Sequence, residues 1–157
     1  MDNRDLALRV AWNYLGTPYI WGGDDPSGFD CSGFIIEILQ SVGVLPRQGD
    51  WSAAGLWDTF KAGRRDLYSD YRAGDLIFWR AKESEAIIHV EMLIDQTRSI
   101  GAQGGGSANV STAEAWRRNS YVKVRPFASR PFMFGVLNPF HKLEGSIPDM
   151  AGSYRSP

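Results

Sequence analysis

The chain has 157 residues, 43% of them hydrophobic, and a formal net charge of −1. A chain of this size buries about 70% of its unfolded surface, so a core forms without a disulfide or metal staple. Its seventeen lysines and arginines are dispersed, which excludes the basic footprint of a nucleic-acid binder, and its single cysteine excludes a disulfide framework.

The adjacent pairs Arg64-Arg65 and Arg117-Arg118 read as solvated surface charge. Met1 to Asp5 carries no apolar leader, and no run approaches the roughly 18 apolar residues of a membrane span, so the expectation is a chain without a secretion signal. Leu8, Ala11, Trp12 and Leu15 repeat at helical spacing, and Gly16 and Pro18 end that helix. A loop rich in glycine and aromatics follows from Thr17 to Asp30. A second helix starts near Cys31 and carries Phe34, Ile35, Ile38, Leu39 and Val42 up to Gly43. Ser52 to Ala62 is a weaker third helix.

Strands are expected at Leu76–Trp79, after the turn Ala73-Gly74-Asp75, and at Ile87–Ile94. Gly101 to Ser107 reads as a loop without a phosphate-binding pattern. Thr112 to Arg118 is a short helix capped by Thr112, and Tyr121–Arg125 and Phe132–Leu137 complete a small antiparallel sheet. Helices first and strands afterwards make an α+β domain over residues 1–137, with an irregular tail over 138–157. The Asn109-Val110-Ser111 sequon is read as accidental. Trp12, Trp21 and Trp79 are assigned to core or cleft wall, and Trp51 and Trp57 to a groove.

Asp30 is a good N-cap residue, which places Cys31 in the first turn of the second helix. Unpaired backbone N–H groups and the positive end of the helix dipole favour a thiolate there. A buried, purely space-filling cysteine is the alternative from placement alone. A thiolate nucleophile needs a base, and there are two histidines, His89 and His141. His89 lies in the strand Ile87-Ile88-His89-Val90, where packing alone would place Val or Ile. His141 lies in the tail and reads as a surface residue.

The stretches Gly16-Thr17-Pro18-Tyr19-Ile20-Trp21-Gly22-Gly23 and Phe29-Asp30-Cys31-Ser32-Gly33-Phe34 resemble the signature of the NlpC-type (p-sixty) cysteine peptidases. Ala73-Gly74-Asp75-Leu76-Ile77-Phe78 and His89-Val90 extend the resemblance over roughly Leu6 to Leu137. It implies a papain-like fold in which N-terminal helices pack on the sheet. Cys31 is then the nucleophile and His89 the base. Tyr19 lies beside the thiol, and Asp30 and Ser32 bind the substrate's amino end. Core packing, capping and a place in the first turn are the structural roles open to those three.

The family orients its base with a polar residue on the next strand, and aligning through Ser99-Ile100 places Gly101 at that position. Three groups can take over: Gln103, a backbone carbonyl near Gly101, or Glu91, which stands where the family usually has a small residue. Strand alternation puts Glu91 on the face of His89. Gln103 is the first choice here, because an amide oxygen can hold the productive tautomer.

The resemblance implies a peptidoglycan stem-peptide hydrolase that needs no cofactor or metal, cutting by analogy between D-γ-glutamate and a diamino acid. Delivery without a signal peptide suits a phage or prophage tail component or another non-Sec route to the wall, with the cytoplasm as the remaining place. A thiol acyltransferase or amidase on a non-wall substrate is the second reading. A weakened wall-binding or assembly module, suggested by Gly101, is the third.

Overall fold

A computed structural model describes residues 1–25, 28–104 and 110–144 of the chain. The α-helices α1 (Asn3–Asn13), α2 (Cys31–Ser41), α3 (Ala53–Phe60) and α4 (Thr112–Arg117) accompany eight strands among the described residues. β1 (Asp24–Asp25) and β2 (Gly28–Phe29) pair as a short hairpin. The main sheet is formed by β3 (Arg64–Arg65), β4 (Leu76–Arg80), β5 (Ile87–Leu93), β6 (Arg98–Gln103), β7 (Tyr121–Pro126) and β8 (Met133–Leu137). Its order is β3-β8-β4-β5-β6-β7, antiparallel throughout. The α+β class and the antiparallel sheet agree with the sequence reading.

The helix α2 is the spine. Phe34, Ile35, Ile36, Ile38 and Leu39 are all buried, so the helix is apolar nearly all round, as a helix inside a fold must be. It packs on β5 and β6. Along the sheet, alternation sorts side chains to two sides: Leu76, Phe78, Val90, Met92, Ile100 and Ala102 join the helical core, while Ile77, Trp79, Leu93 and Val136 form a second cluster with Tyr71. Trp57 does not line a groove. It is buried, edge-on to Phe78 and Phe134 with ring centroids 5.2 and 4.7 Å away. Trp12 and Trp21 are exposed, and of the three tryptophans assigned to core or cleft wall Trp79 is the buried one.

Several local expectations change. Gly101, Ala102 and Gln103 are strand, not loop, because β6 lies between β5 and β7 and its ladder to β7 runs from Arg98 through Gln103. Residues 105–109, including Asn109 of the sequon, lie outside the described residues. Ser111, not Thr112, caps α4, its Oγ accepting from the Glu114 N–H at 3.2 Å. The chain does not become irregular at residue 138. Asn138 and Phe140 are buried and residues 141–144 are helical; residues 145–157 lie outside the description.

A buried ionic cluster joins that segment to the body. Arg4 donates to Asp75 Oδ1 at 2.9 Å, to Asn138 Oδ1 at 2.8 Å and to Glu144 Oε1 at 2.9 Å. Arg65, expected to be solvated, bonds Asp75 Oδ2 at 3.0 Å and is mostly covered. Asp75 is fully buried and Arg4 nearly so. Removing one partner of such a group leaves a charge without compensation in the interior. Asp75→Ala is therefore expected to cost about 3–5 kcal/mol in urea unfolding at neutral pH; a loss under about 1 kcal/mol would show that Arg4 and Arg65 find other partners.

Candidate active site

Cys31 is the first residue of α2, and the approach to it is set by backbone contacts. Asp30 is extended, with φ −86° and ψ −177°, and its Oδ1 accepts from the Gly33 N–H at 2.7 Å. The same carboxylate accepts from the Ser32 hydroxyl at 3.3 Å and the Gly22 N–H at 3.2 Å. The Gly23 carbonyl accepts from the Asp30 N–H at 3.0 Å. A Cβ on Gly33 would sit 2.0 Å from that carbonyl oxygen, so glycine is what lets the loop lie against the helix start. Asp30 is thus cap, loop clamp and pocket wall at once.

Cys31 is partly exposed, and its Sγ lies 3.9 Å from the Ile88 carbonyl. Ile88 is the extra residue of a β-bulge: Trp79 pairs with His89 and Arg80 with Ile87. Bulges re-aim side chains next to active sites. Here Ile87 and Val90 both reach the helical core, which strict alternation forbids, and His89 is set behind the thiol. The imidazole is 5% exposed, tilted against Trp79 with centroids 5.3 Å apart. Its Nε2 lies 3.2 Å from Glu91 Oε1, close but short of linear hydrogen-bond geometry at rest. That leaves Nδ1 for the thiol.

Burial alone would pull the His89 pKa down. Hydrogen bonding to Cys31 and Glu91, and the negative charge of both, outweigh burial and raise it above the ordinary imidazole value. Around this pair, Tyr19 is buried, and desolvation together with the charges of Cys31 and Asp30 pushes its phenol upward. It therefore stays an O–H donor. Burial also raises Asp30, against the hydrogen bonds from Gly33, Ser32 and Gly22, with Asp50 adding repulsion.

An open cleft of about 230 Å³ lies at the head of α2, lined by Asp30 and Ser32, the two neighbours of Cys31, and by Gly33, Asp50 and Trp51. Its two carboxylates face no cationic side chain of the lining, which suits a positively charged ligand group. Trp51 is where the groove assignment put it. Asp50 was missed because no local pattern marks it; only the path of the loop before α3 brings it to Asp30.

Gln103 is buried, but its Oε1 has no hydrogen-bond partner among the described residues and the carboxylate against His89 belongs to Glu91. Gln103 shares a cavity of about 10 Å³ with Trp79, Glu91 and Arg130. Arg130 stacks over Trp79 at 5.7 Å from the ring centroid. Burial lowers its pKa, while Glu91, Cys31 and Tyr19 act the other way. Sequence reasoning did not single out Arg130. His141 lies elsewhere, its Nδ1 3.1 Å from the Asn138 carbonyl oxygen. Among the described residues no helix is long and apolar enough to cross a membrane.

The model of the NlpC/P60 family matches residues 16–125. The gamma-D-glutamyl-L-lysine dipeptidyl-peptidase of Bacillus subtilis is 43% identical over 77 residues, 48% of this chain and 24% of that protein. The probable peptidoglycan endopeptidase LytE of Bacillus subtilis is 33% identical over 118 residues, 75% of this chain and 31% of that protein. The chain thus spans less than a third of the length of either relative. The crystallised NlpC/p60 domain of the peptidoglycan hydrolase SagA shares the fold with a TM-score of 0.60 at 27% identity, covering 87% of this chain and 98% of that one.

A ring whose pKa is raised on folding stabilises the fold fully below its unfolded value of about 6.5 and loses that contribution as pH rises through the folded value. The stability margin of wild type over His89→Gln, from urea unfolding, is therefore expected to shrink as the pH rises from about 6.5 through the folded value. A margin that grows over that range would show burial, not Cys31 and Glu91, to govern the ring.

Proposed function

The chain belongs to the NlpC/P60 family, and from that premise we propose that it is a cysteine endopeptidase acting on peptidoglycan stem peptides, with Cys31 as nucleophile and His89 as base. The observation that carries this reading is a cysteine in the first turn of a buried helix, its Sγ 3.9 Å from the Ile88 carbonyl and so next to the buried His89, whose pKa the thiol helps to raise. Each of these residues would be costly or idle if the pair were merely structural.

In this reading the Cys31 thiolate attacks the scissile carbonyl carbon. Negative charge collects on the carbonyl oxygen, within reach of the Cys31 N–H at the head of α2, an N–H with no intrahelical partner. The Tyr19 hydroxyl is a neutral donor on the same side. Collapse breaks the C–N bond, and the imidazolium of His89 gives its proton to the departing amine. The neutral ring then takes a proton from water, whose oxygen attacks the thioester, and the thiol leaves with the acid product. Atoms and charges balance without an added group.

The acidic cleft extends the reading to substrate. With Asp30 and Asp50 facing it and Ser32 at its edge, it suits the free amino end of a short peptide whose carbonyl reaches Cys31. The name of the similar Bacillus subtilis protein, gamma-D-glutamyl-L-lysine dipeptidyl-peptidase, supports reading the bond cut as the one between D-γ-glutamate and the diamino acid.

Digestion of purified walls, with released muropeptides read by mass spectrometry, tests this directly. Wild type is expected to release peptides beginning with the diamino acid. Cys31→Ala and His89→Ala are expected to release none, and His141→Ala to act like wild type. Products joined to added amines instead of water would identify an acyltransferase, and no release from walls of several chemotypes would rule the peptidase out.

A further inference from the structure

The sheet sets Glu91 against Gly101 in a way that neither residue explains alone. β5 and β6 pair Met92 with Ile100 and Leu93 with Ser99, and one more step in that antiparallel register puts Glu91 opposite Gly101. A Cβ on Gly101 would lie 2.5 Å from Glu91 Cγ and 3.0 Å from its Cδ and Oε1. Both residues are buried, and Gly101 has an ordinary negative φ, so backbone strain is not what calls for glycine. The space a side chain would fill at residue 101 is filled by the carboxylate of residue 91.

That carboxylate has two partners. The Ser99 hydroxyl donates to Oε2 at 2.7 Å, and Oε1 lies 3.2 Å from His89 Nε2. Ser99 thereby fixes the rotamer, and the free oxygen is aimed at the ring nitrogen opposite the one facing the thiol. A buried carboxylate in such a place has a desolvation cost that a structural role would avoid by being apolar.

We propose that Glu91 is the positioning residue of His89 and that Gly101 is its steric counterpart: the orienting group has moved from β6 to β5, with side-chain volume exchanged across the ladder. This rests on the peptidase reading above for its rate effects but not for its effect on the histidine. Glu91 holds Nε2 as the protonated nitrogen, keeps the ring plane turned to Cys31, and stabilises the imidazolium that forms when the thiol ionises. The other groups facing the pair are Cys31 from α2, the Tyr19 hydroxyl, Arg130 before β8, and Lys123 of β7, which senses the charge of Glu91.

The test follows two readouts in the full chain. The first is the rate of Cys31 alkylation by iodoacetamide against pH, which needs no wall substrate; the second is kcat and KM on purified stem peptide. Glu91→Gln keeps shape and an acceptor oxygen but removes the charge. It is expected to move the alkaline limb of the alkylation profile, where imidazolium is lost, to lower pH and to reduce kcat with KM nearly unchanged. Glu91→Ala is expected to lower kcat by about 10² to 10⁴-fold, the scale on which orienting residues act.

Gly101→Asn alone is expected to lose activity through collision with Glu91. Glu91→Ala with Gly101→Asn is expected to recover at least about tenfold over Glu91→Ala, because a polar group on β6 again reaches the ring. Unchanged alkylation and kcat in a folded Glu91→Gln would overturn the proposal, as would a folded double variant no more active than Glu91→Ala. If wild type cleaves no stem peptide while the alkylation profile still shifts in Glu91→Gln, the peptidase reading fails and the positioning role of Glu91 stands.

Discussion

The close approach of the Gly23 carbonyl to the first turn of α2 is the contact on which the site depends. With no Cβ at Gly33, the loop backbone lies directly on the helix start, and Asp30 can cap the helix while holding Gly22 and Ser32. The phenyl rings of Phe29 and Phe34, with centroids 5.7 Å apart, fix this junction from below. The thiol therefore leaves a rigid helix end, not a mobile loop, and its orientation is set by the same contacts that bury α2 against β5 and β6. Catalytic groups carried on rigid elements keep their geometry without ordering costs at the moment of reaction.

The second half of the site is supplied by a deviation from regularity. The bulge at Ile88 adds one residue to β5, so that Ile87 still packs in the core while His89 turns to the thiol. Beyond the bulge, ordinary alternation resumes and sets Glu91 on the side of His89. The polar row of His89, Glu91 and Ser99 is buried between Trp79 and Gly101, where water does not compete for its hydrogen bonds. Low local dielectric strengthens such contacts and makes each unpaired member costly, which couples the exact backbone of β5 to the protonation of the ring.

Charge is arranged differently on the two sides of the molecule. The cluster of Arg4, Arg65, Asp75 and Glu144 is nearly self-neutralising and links the N-terminal helix, the start of β4 and the segment after β8. The cleft at the head of α2 has carboxylates without cations among its described lining residues. The first arrangement holds the fold together; the second leaves a field for a ligand to neutralise.

Local chemistry made Cys31 and its helix legible: a cap residue, a cysteine in the first turn, an apolar run and two glycine-rich flanks lie within a few dozen residues, and each acts through its immediate neighbours. The same holds for α3, β4 and β7; α1 forms where its spacing put a helix, but it buries Arg4, Ala7 and Ala11, and Trp12 and Leu15 are exposed. Strand β6 was hidden because Gly101 and Ala102 carry little strand propensity, and burial between two partners overrides it. Arg65 looked solvated, and Asn138 looked like the start of an irregular tail, because their partners, Asp75 and Arg4, are distant in sequence. The group against His89 was the hardest to place. Glu91, Gln103 and Gly101 could be named from the sequence, but choosing among them needed the register of β5 on β6, the bulge at Ile88 and the volume left by a missing Cβ. Those are distances between strands, and side-chain identity alone does not contain them; only the folded sheet decides which group meets the ring.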